Sequence, residues 1–233
     1  MIQYLWIGLA IIVGLIALNQ SSIADHFPIH TIKVYGIQHA DKHRIEETLN
    51  SLSHSNFFNV RLDDLRDHLS QQPWISEVAI RRVWPDQVEV VVVEHTPVGR
   101  WGKNTLLSQS GVLFTPIPAF PVEAAALPLF EGPPGQQMVM LAYFNKMNQL
   151  LTPLHVKMTH LVLSPYQNWQ LQLDNGVTLQ MGHKDVLTRL GHFVKVYPKI
   201  VGNNAALLES VDLRYPNGVA VRWKSNYGKE ASK

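Results

Sequence analysis

The sequence predicts an α+β protein in three parts. These are an N-terminal transmembrane helix, a small β-α-α-β-β unit, and a mostly antiparallel β domain with flanking helices. Three observations predict it. From Ile2 to Leu18 the only strongly polar side chain is Gln3. Between Ile29 and Glu94 a β-branched run precedes two amphipathic helical patterns and two further strands. Beyond Pro97, runs of alternating hydrophobicity are punctuated by two Asn-Gly pairs.

The opening segment sets the compartment. Seventeen helical residues reach about 25 Å, near the lower limit for crossing a bilayer core. Tyr4 and Trp6 lie at one end, where amphipathic rings favour the headgroup level. A soluble core helix would show a polar face here, and this segment has none. Ser22-Ile23-Ala24 offers a small-x-small site, so a cleavable signal peptide is the competing reading. Either way the large remainder is exported.

The first folded unit reads as strand, helix, helix, strand, strand. Thr31 to Tyr35 is a short strand closed by Gly36. Asp41 caps a helix with Ile45, Leu49 and Leu52 on one face. Asn59 is placed to cap a second, with Leu62, Leu65 and Leu69 at helical spacing, and Pro73 ends it. Val78 to Ile80 and Val88 to Val93 then form a hairpin around Trp84-Pro85-Asp86. One sheet covering two helices buries every apolar face, although the partner of the first strand stays open. Gly36, Trp74 and Trp84 are assigned to folding, with Trp84 a buried aromatic at the hairpin corner.

In the second unit, Trp101 to Phe114 reads as strand, turn, strand around Ser108-Gln109-Ser110-Gly111. The proline-dense stretch from Thr115 to Gly135 reads as extended or looped, tied down by Phe120, Leu127, Leu129 and Phe130. Gln136 to Leu151 is a helix with Met140, Tyr143, Phe144 and Met147 inward. Trp169 to Met181 is a hairpin whose Asn175-Gly176 suits a type I′ turn. Asp185 to Tyr197 is a helix that Pro198 stops. Leu208 to Tyr215 and Val219 to Trp223 form a second hairpin around Pro216-Asn217-Gly218.

Composition and motifs exclude several kinds of chemistry. Twenty Lys and Arg against 18 Asp and Glu give a net charge of +2, too balanced for a nucleic-acid footprint. The absence of cysteine removes disulfides, thiolate catalysis, cysteine-ligated metals and lipidated thiols. Among 11 histidines, His26/His30 and His39/His43 have four-residue spacing, but neither pair belongs to an HExxH motif. No nucleophile elbow, P-loop or dinucleotide fingerprint is present. Catalytic, metal and cofactor sites are therefore assigned to no residue, and no enzyme activity is expected.

The segments Ile32-Lys33-Val34-Tyr35-Gly36, Pro73-Trp74-Ile75 and Val78 to Asp86 (VAIRRVWPD) make the first unit resemble a POTRA domain. With Glu94 to Trp101 (EHTPVGRW), Leu171 to Gly176 (LQLDNG) and Val211 to Trp223 (VDLRYPNGVAVRW), nearly the whole chain resembles the FtsQ/DivIB family of bacterial division proteins. That resemblance implies a transmembrane anchor at 1–20, a linker at 21–28, a POTRA domain at 29–96, a β domain at 97–224 and a polar tail at 225–233. It implies a single-pass inner-membrane protein at the division septum, its N-terminus cytoplasmic and its bulk periplasmic. It further implies a non-enzymatic divisome scaffold that recruits and regulates septal peptidoglycan synthesis. Its partners would be FtsB and FtsL, with FtsB at the last strands, other divisome proteins at the POTRA domain, and lipid around residues 2–18. Tyr166-Gln167-Asn168 departs from the family, carrying no arginine where some relatives are basic.

The expected docking element is the terminal strand, as a sheet edge that accepts an extended partner segment. Val219 and Val221 belong to that edge, Tyr215 and Trp223 match positions of the family's binding surface, and Arg214, Asn217 and Gly218 lie beside them. Arg222 and Lys224 are placed to meet acids on the partner. The alternatives are a POTRA-type factor in outer-membrane protein biogenesis or secretion and, more distantly, an exported hydrolase.

Overall fold

The computed structural model describes residues 28–50, 57–58, 60–117, 122–201, 207–215 and 218–224. The chain divides into two compact units, residues 1–95 and 96–233. The expected membrane helix at residues 2–18 lies outside the described residues, as do Leu52, Asn59 and Phe120. Among the described residues no helix is long and apolar enough to cross a membrane.

The first unit comprises β1 (Thr31–Tyr35), α1 (Lys42–Asn50), α2 (Leu62–Ser70), β2 (Ile75–Val83) and β3 (Gln87–Glu94). Its sheet runs β1-β3-β2, with β1 parallel and β2 antiparallel to β3. The partner left open by the sequence is thus β3. Its valines explain the central place: Val88, Val90 and Val92 are fully buried, as are Ile45, Leu49, Leu65 and Leu69 on the helices. Gly36, at φ +90°, ends β1 against β3, where a Cβ would strike the Val92 carbonyl.

Asp41 caps α1 as expected, its Oδ1 accepting the N–H groups of His43 (3.0 Å) and Arg44 (3.3 Å). Arg61 occupies the N-cap of α2 without a side-chain cap; Asp63 and Asp64 in the first turn oppose the helix dipole instead. Trp84 corrects the sequence reading. It is 73% exposed at the tip of the β2–β3 hairpin, so it fills no core.

The second unit comprises β4 (Pro97–Trp101), β5 (Thr105–Ser108), β6 (Leu113–Phe114), β7 (Leu129–Glu131), α3 (Gln137–Leu151), β8 (Met158–Leu163), β9 (Trp169–Leu173), β10 (Thr178–Gly182), α4 (Val186–Val201), β11 (Leu208–Asp212) and β12 (Ala220–Trp223). They form one nine-stranded sheet, in the order β12-β11-β10-β9-β8-β7-β4-β5-β6. The sheet is mixed, with β4–β7, β7–β8 and β10–β11 parallel. Helices α3 and α4 pack on each other and on β8 and β10. Between them lies a core that includes Met140, Met147, Leu171, Leu179, Leu190 and Phe193.

Several local expectations change here. The strand, turn and strand expected from Trp101 to Phe114 are β5 and β6; the strand not expected is β4, from which Gly102 at φ +64° turns the chain. The proline-dense stretch contributes β7 to the middle of the sheet. Pro128 and Pro133 lie just outside that strand, so its amides stay available, and Phe130 is fully buried. The β9–β10 turn is not type I′, for of Asn175 and Gly176 only Gly176 has positive φ. The Gly176 N–H donates to the Leu173 carbonyl and the Leu173 N–H to that of Val177, making a three-residue loop. Asn175 is held out of the left-handed region by its own bonds. Its Oδ1 accepts the Val177 N–H (3.1 Å), and its Nδ2 donates to the Tyr197 hydroxyl (3.0 Å). Finally, α4 continues through Pro198 to Val201, with Ile200 still packed against the core. A proline in a last turn removes a single helical bond, and continued packing offsets it.

Candidate protein-docking edge

β12 is short and lies at one end of the sheet. It pairs antiparallel with β11, matching Asp212 with Ala220, Val211 with Val221 and Ser210 with Arg222, then Leu208 with Trp223 beyond a bulge. β11 in turn lies parallel to β10, reached by the α4 crossover. The Leu213 N–H extends that pairing to the Gln180 carbonyl (2.8 Å), and buried Leu213 closes the inner face. Among the described residues, no strand pairs with β12 on its other side. The Lys224 N–H donates inward, to the Leu207 carbonyl (2.9 Å). Because successive residues direct their amides to opposite sides, the N–H and C=O of Val221 point away from β11.

The expected site residues lie on the two faces of β12 and in the loop before it. Val219, Val221 and Trp223 are half-buried and pack against the core. Arg222 and Lys224 are exposed on the opposite face. Tyr215, 58% exposed, and Gly218 belong to the β11–β12 loop; Asn217 lies outside the described residues. Arg214 turns back onto Asp212, its Nε and Nη2 donating to the carboxylate at 2.9 and 2.6 Å. That guanidinium holds the Asp212 carboxyl below its ordinary range, against a smaller opposing effect of burial. Arg214 therefore shapes the loop that carries Tyr215.

Sequence reasoning missed the other wall of the site. A groove of about 680 Å³ runs between α4 and this loop, lined by Asp185, Thr188, Arg189 and His192 on one side and by Leu213, Tyr215, Gly218 and Val219 on the other. The Arg189 guanidinium is fixed by the Met181 carbonyl (3.0 Å). The polar Thr188 and Arg189, with His192 one turn on, were the available signal. They gain meaning only once the parallel β10–β11 pairing puts α4 beside the loop. Of the histidines considered for metal binding, His30 meets Asp86 and His39 meets Glu94. His26 lies outside the described residues.

Comparison with known proteins matches these units one by one. Residues 27–95 match the POTRA domain, FtsQ-type, and residues 99–214 match the cell division protein FtsQ/DivIB, C-terminal. Cell division protein FtsQ of Coxiella burnetii is 36% identical over 171 residues, covering 72% of this chain and 69% of the relative. The chain belongs to the FtsQ/DivIB family. FtsQ of a Thioalkalivibrio species is 32% identical over 215 residues, covering 92% of this chain and 88% of its own. FtsQ of Burkholderia pseudomallei is 36% identical over 172 residues, covering 72% and 68%. FtsQ/DivIB proteins are non-catalytic scaffolds of the division machinery that act through protein–protein contacts, with POTRA and β domains in the periplasm. The C-terminal FtsQ/DivIB match stops at residue 214, so all the expected docking residues except Arg214 lie beyond it.

Proposed function

We propose that this chain is a membrane-anchored divisome scaffold that captures FtsB, and through it FtsL, on the outer edge of β12. The observation that carries the reading is the Val221 amide and carbonyl, directed away from the sheet at an edge where no described strand pairs. An extended partner segment adds there as a tenth strand, its backbone supplying affinity and its side chains register. Tyr215 and the α4 groove receive the flanking part of the partner, and Arg222 and Lys224 attract its acids. Residues 2–18 anchor the chain as a single span, with the N-terminus cytoplasmic and both folded units periplasmic. The POTRA unit makes separate contacts with other divisome proteins.

The test is a titration of the full chain, in nanodiscs, with an FtsB segment. Tyr215→Ala removes an exposed aromatic anchor and should weaken binding by about thirtyfold, the equivalent of about 2 kcal/mol. Its fold should be unchanged, since the ring is mostly outside the core. Equal affinity for the variant and the parent would overturn the assignment.

A further inference from the structure

The exposed Trp84 lies at the end of the POTRA unit by which the chain enters it. The His30 and Thr31 N–H groups both donate to the carbonyl of Asp86, two residues past Trp84, at 3.0 and 3.3 Å. His30 Nδ1 also lies 3.3 Å from the Asp86 carboxylate. The same end carries a second exposed ring, that of Phe58 (53%), set edge-on against buried Phe57. Arg82, two residues before Trp84, holds that turn by donating to the Phe57 and Val60 carbonyls at 2.9 and 2.6 Å.

Trp84 is therefore presented from a braced surface. Trp74 and Trp169 are buried, and Trp101 and Trp223 half-buried, so Trp84 differs from the other described tryptophans. The acids nearby are already matched, Asp86 with His30 and Glu89 with Arg81. Only nine residues, 19–27, separate Pro28 from the end of the apolar run at Leu18. Nine residues reach at most about 30 Å when fully extended. The Trp84 end is thus held within a short distance of whatever surface the apolar run enters. Tryptophan favours the headgroup boundary, where its ring is half solvated and its N–H finds a partner.

We propose that Trp84 rests on the lipid headgroup region and fixes how the POTRA unit stands on the membrane. The proposal depends on residues 2–18 being the anchor, and the experiment separates the two. The full chain and its Trp84→Ala variant are reconstituted into vesicles of phosphatidylethanolamine and phosphatidylglycerol, with plain or brominated acyl chains. Flotation after a carbonate wash reports the anchor. The emission difference between the two chains isolates Trp84 from the other five tryptophans.

Both chains should float, and the Trp84 emission should fall by about half in brominated vesicles, as for a ring at the headgroup boundary. Equal emission in plain and brominated vesicles, with both chains floating, overturns the proposal and leaves the anchor standing. Failure to float overturns both. Thermal unfolding reports whether Trp84→Ala disturbs the hairpin, and a Trp84→Phe variant then gives the same subtraction.

Discussion

Glu94, at the end of β3, binds His39 twice over: its Oε2 lies 3.0 Å from His39 Nδ1, and the carboxylate also accepts the His39 N–H. The N–H groups of Gln38 and Ala40 complete the cradle, and the His39 ring stacks on Trp74 at 4.7 Å. One side chain thereby fastens the β1–α1 loop to the sheet.

Burial pushes the Glu94 carboxyl up, but the three backbone donors and the His39 ring together hold it below its ordinary range. A depressed carboxyl stabilises the fold above its unfolded pKa of about 4.3, and that contribution disappears as pH falls through the folded value. Glu94→Gln should lower stability at pH 7 by about 2 kcal/mol. Its deficit relative to the parent should shrink steadily below about pH 4. Urea unfolding at a series of pH values measures this; a deficit independent of pH would refute the charge assignment.

At the docking edge, Val221→Pro is the discriminating substitution. Proline removes an N–H that points away from β11, so the β11–β12 pairing should survive. Main-chain capture of a partner strand should be reduced at least about tenfold by titration, the equivalent of one lost hydrogen bond or more. Full binding by a folded Val221→Pro chain would mean that side chains alone hold the partner.

Tyr197 links α4 to the β9–β10 loop through Asn175. Burial raises its pKa, outweighing the Asn175 bond, with nearby Asp174 adding a smaller push in the same direction. The phenol should therefore ionise above its usual value of about 10, and the folded state should lose stability as pH climbs from there toward the raised value. Tyr197→Phe should cost about 1 kcal/mol at neutral pH and abolish that alkaline loss. Ultraviolet titration alongside denaturant unfolding checks both.

Gly36→Ala places a methyl group against the Val92 carbonyl in a backbone conformation that disfavours side chains. A loss of about 2–3 kcal/mol is expected, confined to the POTRA unit. Hydrogen exchange of the β1 amides would register it directly.

Much of this architecture was legible because its signals are local. Asp41 capped the helix it preceded, and the alternation of Val88, Val90 and Val92 marked a strand with one buried face. What escaped depended on distant partners. Nothing near Thr31 announces a parallel pairing with β3, and Leu129–Glu131 is too short to read as a strand until β4 and β8 flank it. Trp84 looked like core material because large rings usually are; only the position of the hairpin tip reveals its exposure. At the docking edge the strand residues were readable, whereas the α4 wall required the crossover between β10 and β11.

The parallel register of β1 on β3 also decides how this unit resists force. The chain enters at Thr31 beside Gln87 and leaves β3 at Glu94, toward the far end of the strand. Tension between the two ends of the unit therefore slides β1 along β3 rather than peeling it away. Five aligned residues, Thr31 to Tyr35, share that load at once instead of yielding in turn. A tether pulled from both sides during constriction would meet a shear clamp.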